Sequence, residues 1–227
     1  TTNLDVAIPV EIGMASPLTI AAGAEYREDT FEIKPGDEAS RYKEGSQSYP
    51  GFALTDAGAH SRDSKAVYVD LAVDPTKGLQ MDAALRYEDF SDFGDTTVAK
   101  LTSRYDFTDA FALRGTVSTG FRAPTLAESF YSATNVSPTS AFVQLPPNSA
   151  AAALIGVNGL DPEKSKNYSL GVVLHPMPEM TMTIDAYQIE IEDRIVGSGS
   201  LFGVGGAINS PAVVAAIAAN GNVLDPT

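Results

Sequence analysis

Val67-Tyr68-Val69-Asp70-Leu71-Ala72-Val73, then Asp74-Pro75-Thr76-Lys77-Gly78, then Leu79-Gln80-Met81-Asp82-Ala83-Ala84-Leu85-Arg86-Tyr87-Glu88 is the stretch on which the fold turns. Side chains of a strand point alternately to opposite faces, so a period of two in hydropathy separates a dry face from a wet one. Val67, Val69, Leu71 and Val73 fall on one face, and after a tight turn at Pro75 to Gly78 the pattern resumes. Leu79, Met81, Ala83, Leu85 and Tyr87 then oppose Gln80, Asp82, Arg86 and Glu88. Two alternating runs joined by a proline–glycine turn predict an antiparallel hairpin with one apolar face.

The same rhythm extends in both directions. Upstream, Leu4, Val6, Ile8, Val10 and Ile12 oppose Asn3, Asp5, Ala7 and Glu11; past a turn at Gly13 to Pro17, Leu18, Ile20, Ala22, Ala24 and Tyr26 oppose Thr19, Ala21, Gly23, Glu25 and Arg27. Downstream, a loop around Ser91 to Asp95 leads to Thr97 through Tyr105, a turn at Asp106 to Ala110, and Phe111, Leu113, Val117 and Phe121 against Arg114, Ser118 and Arg122. A fourth hairpin joins Tyr168, Leu170, Val172 and Leu174 through a turn at His175 to Met180 to a strand running from Met182 and Ile184 to Ile195. Ile184 and Ile189 share a face only if an extra residue intervenes, which predicts a β-bulge near Tyr187 to Glu190. Long polar segments, Lys34 to Lys65 and Ala123 to Glu163, separate the hairpins. Ser210 as N-cap, Pro211 at the first helical position and Gly221 at the end predict one short helix over Ala212 to Asn220.

Composition narrows the partners. No run reaches the roughly 18 apolar residues that a transmembrane helix needs, although 44% of the chain is hydrophobic. A membrane strand needs only about 10 residues and alternates its faces, so a barrel stays open. The net charge of −14 repels phosphate backbones, and nucleic acid is not an expected partner. With no cysteine there are no disulfides, thiolate metal sites or thiol nucleophiles.

Short connections close each hairpin, whereas what lies between hairpins is generally longer and more polar, an asymmetry that outer-membrane barrels display. Lys100, Arg86, Arg104, Arg114 and Arg122 all fall opposite the aliphatic face. That is where a barrel needs them, because a lipid-facing Arg at mid-membrane costs roughly 2–4 kcal/mol. Tyr26, Tyr87, Tyr105, Phe111 and Phe121 lie near strand ends on the apolar face, as an interfacial girdle requires. The expectation is an all-β fold: an antiparallel up-and-down meander forming part of a transmembrane β-barrel, with long outer loops and one short loop helix. No composition break divides the chain, so residues 1–227 are read as one partial barrel domain.

Three segments carry a family resemblance: Gly120-Phe121-Arg122-Ala123-Pro124-Thr125-Leu126; Leu160-Asp161-Pro162-Glu163-Lys164-Ser165 with Asn167-Tyr168-Ser169-Leu170-Gly171; and Thr183-Ile184-Asp185-Ala186-Tyr187 through Asp193-Arg194-Ile195. In this order they resemble the barrel of a TonB-dependent outer-membrane receptor. The resemblance implies a first motif closing an ascending strand at the outer rim, a second opening the next descending strand, and a third ascending again. It also implies a barrel of about 22 strands, of which about eight are legible here, with the plug and the C-terminal strands expected elsewhere. Implied partners are outer-membrane lipid, the TonB complex acting through the plug, and a small-molecule ligand such as a ferric siderophore. The implied location is the Gram-negative outer membrane and the implied role is active uptake of a scarce solute such as a siderophore, vitamin or carbohydrate.

No enzymatic activity and no cofactor are expected. His60 and His175 stand in a loop and a turn without cysteines beside them. The glycine-rich run Gly197 to Gly203 lacks the GxGxxG spacing and the surrounding βαβ unit of a dinucleotide site. Glu190, Glu192 and Asp193 read as charges ending a strand in water. Candidate ligand contacts are Arg86, Arg114 and Arg122 on the polar face and Arg41, Tyr42 and Tyr49 in the first long loop. Two other classes fit less of the pattern: a secreted soluble β-sandwich that binds carbohydrate, and an outer-membrane hydrolase.

Overall fold

The structure, a computed structural model, describes residues 1–42, 51–137, 140–199 and 210–221. In chain order its elements are β1 (Thr2–Val10), β2 (Leu18–Ile33), α1 (Glu38–Arg41), β3 (Gly58–Thr76), β4 (Leu79–Phe90), β5 (Gly94–Thr108), β6 (Phe111–Arg122), α2 (Leu126–Phe130), β7 (Ala133–Ser137), β8 (Ser140–Gln144), α3 (Ala150–Ala153), β9 (Glu163–Met177), β10 (Met180–Glu192) and α4 (Pro211–Ala219). One eight-stranded sheet takes the order β1-β2-β3-β4-β5-β6-β9-β10, and β7-β8 form a separate hairpin. The four expected hairpins are therefore β1–β2, β3–β4, β5–β6 and β9–β10, each antiparallel.

Register carries the alternation from strand to strand. Leu85 pairs with Val69 and Ala99, Leu101 with Ala83 and Val117, and Leu113 with Tyr105 and Val172. On the opposite face Lys100 pairs with Ala84 and Ser118, and Arg104 with Gln80 and Arg114. A slip of one residue anywhere would send aliphatic side chains to the charged face, so the pattern itself holds the register.

Adjacent hairpins are tied at their short-turn end. The amides of Ala15 and Ser16 donate to the Asp74 carbonyl at 3.0 and 3.3 Å. Asp106 donates to the Gly78 carbonyl at 2.7 Å and His175 to the Ala110 carbonyl at 2.9 Å. A Cβ on Gly78 would stand 2.9 Å from the Asp106 carbonyl oxygen, so this crossing needs glycine.

Three expectations are corrected. First, β10 carries no bulge at Tyr187–Glu190: its pairing with β9 is continuous from Met182 to Glu192, and the only shift lies between Met180 and Met182. Ile184 and Ile189 consequently lie on opposite faces. At this edge of the sheet every β10 residue is exposed, so no covered face selects a bulge and the unbroken hydrogen-bond ladder prevails. Second, β2 runs on to Ile33 and strand structure enters the far end of the first long segment, from Gly58 on β3, leaving 34–57 between them. Ser64 and Arg62 are buried there, so β3 has polar residues on its covered side and the hydropathy pattern that marks a strand is lost. Third, the loops hold more than the one short helix expected: α1 follows β2, and the segment from Ala123 to Glu163 holds α2, β7–β8 and α3. The predicted helix is present as α4, with Ser210 at the N-cap, although that hydroxyl makes no capping bond, and Gly221 follows at φ 82°.

Two compact units divide the chain: Thr1–Glu28, Asp63–Ala123 and Pro162–Arg194 form the first, and Asp29–Arg62, Pro124–Asp161 and Ile195–Thr227 the second. The first is sheet wall. In the second, Asp56 is buried and accepts from Ser132 Oγ at 2.6 Å, Thr134 N at 2.9 Å and Thr134 Oγ1 at 3.2 Å. His60 stacks on Phe130 at 3.8 Å and Phe52 meets Tyr131 edge-on at 6.0 Å. Thr125 and Glu128 cap α2 reciprocally, and Ser149 caps α3.

Candidate functional site: the two faces of the wall and the loop unit

Burial in the wall runs opposite to that of a soluble protein. Leu4 is 71% exposed, Leu170 61% and Ile184 63%, and Val6, Val67, Leu85, Leu101 and Val117 of the same aliphatic face are exposed with them. Among the buried residues are Glu88, Arg62 and Ser64, all polar and all on the other face. Among the described residues the aliphatic side of the sheet is exposed, which removes the sandwich reading, since a sandwich would bury that side as its core between two layers. An aliphatic surface of this extent is stable only against another apolar phase.

The dimensions agree. Tyr87 pairs with Thr97, and Phe107 lies ten residues further along β5. At about 3.3 Å per residue that is roughly 33 Å of strand, or about 25 Å of bilayer thickness at a tilt near 40°. Aromatics mark both limits. Tyr87 and Phe121 stand on the apolar face near the upper ends of their strands, and Tyr26 stands on it opposite Thr2, where β1 begins. At the lower limit Tyr105 meets Phe107 edge-on at 4.6 Å, and Phe107 stacks on Phe111 at 5.2 Å.

The polar face is a set of matched charges. Arg86 reaches Glu88 at 3.0 Å and Glu25 at 3.6 Å; Lys100 reaches Asp82 at 3.5 Å; Arg104 holds Asp106 at 2.8 Å. Arg114 binds Asp185 through two bonds, at 3.0 and 2.7 Å, and Arg122 binds Glu163 through two, at 2.9 and 2.8 Å. Forked Arg–carboxylate pairs of this kind fix geometry as well as charge. Two bridges cross an intervening strand over a glycine. Tyr68 on β3 donates to Asp5 on β1 at 2.7 Å above Gly23, and the Arg114–Asp185 pair links β6 to β10 above Gly171. A Cβ at Gly171 would collide with Asp185 Oδ1, and one at Gly23 with the Tyr68 ring.

Of the candidate ligand contacts, Arg86, Arg114 and Arg122 share this face on separate stretches of β4 and β6, each matched by a carboxylate. Arg41 sits in α1 and donates to the Gly36 carbonyl at 2.6 Å. Tyr42, which ends α1, is exposed, and Tyr49 lies outside the described residues. Sequence reasoning did not single out Asp56; a lone aspartate in a loop carries no local signal of its burial, which comes from residues 76 and 78 positions away.

A single-layer sheet whose aliphatic face is uncovered, bounded by aromatics and backed by an ion-paired polar face, is a piece of transmembrane β-barrel wall. The family model described as "TonB dependent receptor-like, beta-barrel" matches residues 1–223, and the chain belongs to that family. This is a family of receptors and not of enzymes. The chain is similar to the ferric enterobactin receptor PirA of Pseudomonas aeruginosa, 28% identical over 165 residues, covering 67% of this chain and 20% of that protein. Among solved structures it resembles the siderophore receptor PirA from Acinetobacter baumannii, with TM-score 0.64, 20% identity, and 90% of this chain and 30% of that one covered. It also resembles PirA from Pseudomonas aeruginosa, with TM-score 0.65, 18% identity, and 90% and 34% covered. The chain thus spans a fifth to a third of the length of these relatives.

Proposed function

We propose that this chain supplies wall and outer loops to a TonB-dependent receptor that takes a ferric siderophore across the Gram-negative outer membrane. The observation that carries the reading is the uncovered aliphatic face, which lipid would satisfy, on a chain of this family. The names of the relatives support a siderophore over a vitamin or a carbohydrate. In this reading β1 and β10 pair with further strands of a larger barrel, because unpaired edges expose backbone donors and acceptors that a bilayer cannot hydrate. Arg86, Arg114 and Arg122 brace the polar lumen, ligand capture falls to the loops, with exposed Tyr42 among its contacts, and the TonB complex supplies energy through the plug.

The test is uptake of radiolabelled ferric siderophores by cells whose only such receptor is the one carrying this chain, with and without the proton-motive force. Energy-dependent accumulation is expected. Accumulation of a labelled sugar or vitamin, with none of iron, would overturn the siderophore reading.

A further inference from the structure

We infer that the outward rim of the wall, just above its aromatic limit, is a docking surface for the phosphorylated glycolipid headgroups of the outer leaflet, with Lys164 and Lys166 as the phosphate contacts. This rests on the outer-membrane reading above and adds a lipid ligand to it.

Outward-facing positions change character in a single step. Val67, Tyr87 and Thr97 stand side by side on β3, β4 and β5, and the next outward row is Lys65, Asp89 and Asp95. On β9 and β10 the row of Tyr168 and Gln188 is followed by Lys166 and Glu190, and then by Lys164 and Glu192. All of these charged residues are exposed. One step is two residues, about 6.6 Å of strand, or about 5 Å along the bilayer normal at a tilt near 40°. A headgroup layer is roughly 5–8 Å deep on each side of the hydrocarbon. The first charged row therefore stands among headgroups rather than in bulk water, and the second at their outer margin.

The other end of the sheet differs. Continuing the alternation past the last aliphatic residues, β1, β2, β3, β9 and β10 reach Ile12, Ser16, Pro75, Pro176 and Met180, none of them charged. On β4, β5 and β6 the same step reaches Lys77 and Asp109, which lie in turns. The charged rim is the one that bears the long loops, the outer end of a barrel of this kind. Phosphate is the headgroup component that a lysine holds best, and the outer leaflet of a Gram-negative outer membrane presents it on a glycolipid.

Cations on the sheet sort by kind as well. Those that point outward, Lys65, Lys164 and Lys166, are all lysines, whereas those that point inward, Arg86, Arg104, Arg114 and Arg122 among them, are arginines apart from Lys100. A guanidinium fork suits a fixed carboxylate across a polar lumen. A compact ammonium on a flexible apolar stem can lie along a lipid-facing surface and lift its charge to the headgroups. Lys166 is held by Glu192 at 2.9 Å. Lys164, placed in register between Phe121 and Glu192, makes no ion pair among the described residues.

The experiment uses the receptor carrying this chain, purified in detergent, with bound lipid read by native mass spectrometry. The probes are a rough-type lipopolysaccharide, the same glycolipid after enzymatic dephosphorylation, and phosphatidylglycerol. The phosphorylated glycolipid should bind tightest. Joint Lys164→Gln and Lys166→Gln substitution should weaken it roughly 25-fold, about fivefold for each lysine at an anionic membrane surface. Lys77→Gln, the same charge removed at the opposite rim, should leave affinity unchanged. Glu192→Gln releases Lys166 and should tighten binding, a gain that a misfolded receptor would not show. Unchanged affinity in the double variant, an equal loss with Lys77→Gln, no gain with Glu192→Gln, or equal binding of the dephosphorylated glycolipid or of phosphatidylglycerol overturns the inference. None of these outcomes bears on siderophore uptake, which is measured separately in cells, and a failure of iron accumulation there would leave the lipid affinities as they are.

Discussion

Replacing Leu101 by arginine tests the membrane reading at its centre. Leu101 lies on β5 four residues from Thr97 and six from Phe107, the levels of the two aromatic limits, and its side chain is 43% exposed on the aliphatic face. In a bilayer this is close to the midplane, where a lipid-facing Arg costs about 2–4 kcal/mol, against about 0–1 near an interface. The folded-to-unfolded ratio should therefore drop by roughly 30- to 900-fold for Leu101→Arg, and by no more than about fivefold for Phe107→Arg, which sits at the lower limit. Thr102→Arg, one residue along, turns the same charge to the polar face, where Thr102 and Thr116 hydroxyls lie 3.0 Å apart; it should lose that contact and little more. Guanidinium titrations of the receptor in lipid vesicles, followed by far-ultraviolet circular dichroism, measure all three. Equal costs for Leu101→Arg and Phe107→Arg, or a larger cost for Thr102→Arg, would refute the assignment of faces.

Two further outcomes follow from contacts in the wall and in the loop unit. Gly171→Ala should stabilise the receptor by about 0.4–1 kcal/mol when Arg114 and Asp185 are both Ala, because the new Cβ, which would otherwise stand 3.0 Å from Arg114 Nε as well as against Asp185, then restricts only the unfolded chain. With the pair present the gain should vanish, since the new Cβ displaces a half-exposed pair worth up to about 1 kcal/mol; the same gain in both backgrounds would show that the pair does not cross Gly171. Asp56→Ala leaves the Ser132 hydroxyl and the Thr134 amide without their buried acceptor, at a cost of about 1–3 kcal/mol to the loop unit. Amide hydrogen exchange at Thr134, read by mass spectrometry, should accelerate, and unchanged protection would remove Asp56 from its role as a clip.

Much of the wall is legible from the period of two. Runs such as Leu79 to Glu88 allow one pleat and one pairing register, because any slip turns leucines to the charged side; the four hairpins and the side on which Arg86, Arg104, Arg114 and Arg122 fall follow from that alone. The same period does not say what covers the aliphatic side. A sandwich and a barrel write the same alternation, and only the three-dimensional arrangement, a single layer with Leu4, Leu170 and Ile184 uncovered, separates them. Where hydropathy stops alternating, the sequence falls silent: β3 between Gly58 and Lys65 is polar on both sides, and β10 above Asp185 turns Tyr187 and Ile189 to the polar face because an edge strand follows its ladder rather than its side chains. The matched charges are decided later still. Arg114 and Asp185 are 71 residues apart and meet only because β6 and β10 flank β9 at a glycine. Local sequence determines which way a side chain points, since that depends on the pleat; which partner it finds depends on strands brought together from distant parts of the chain.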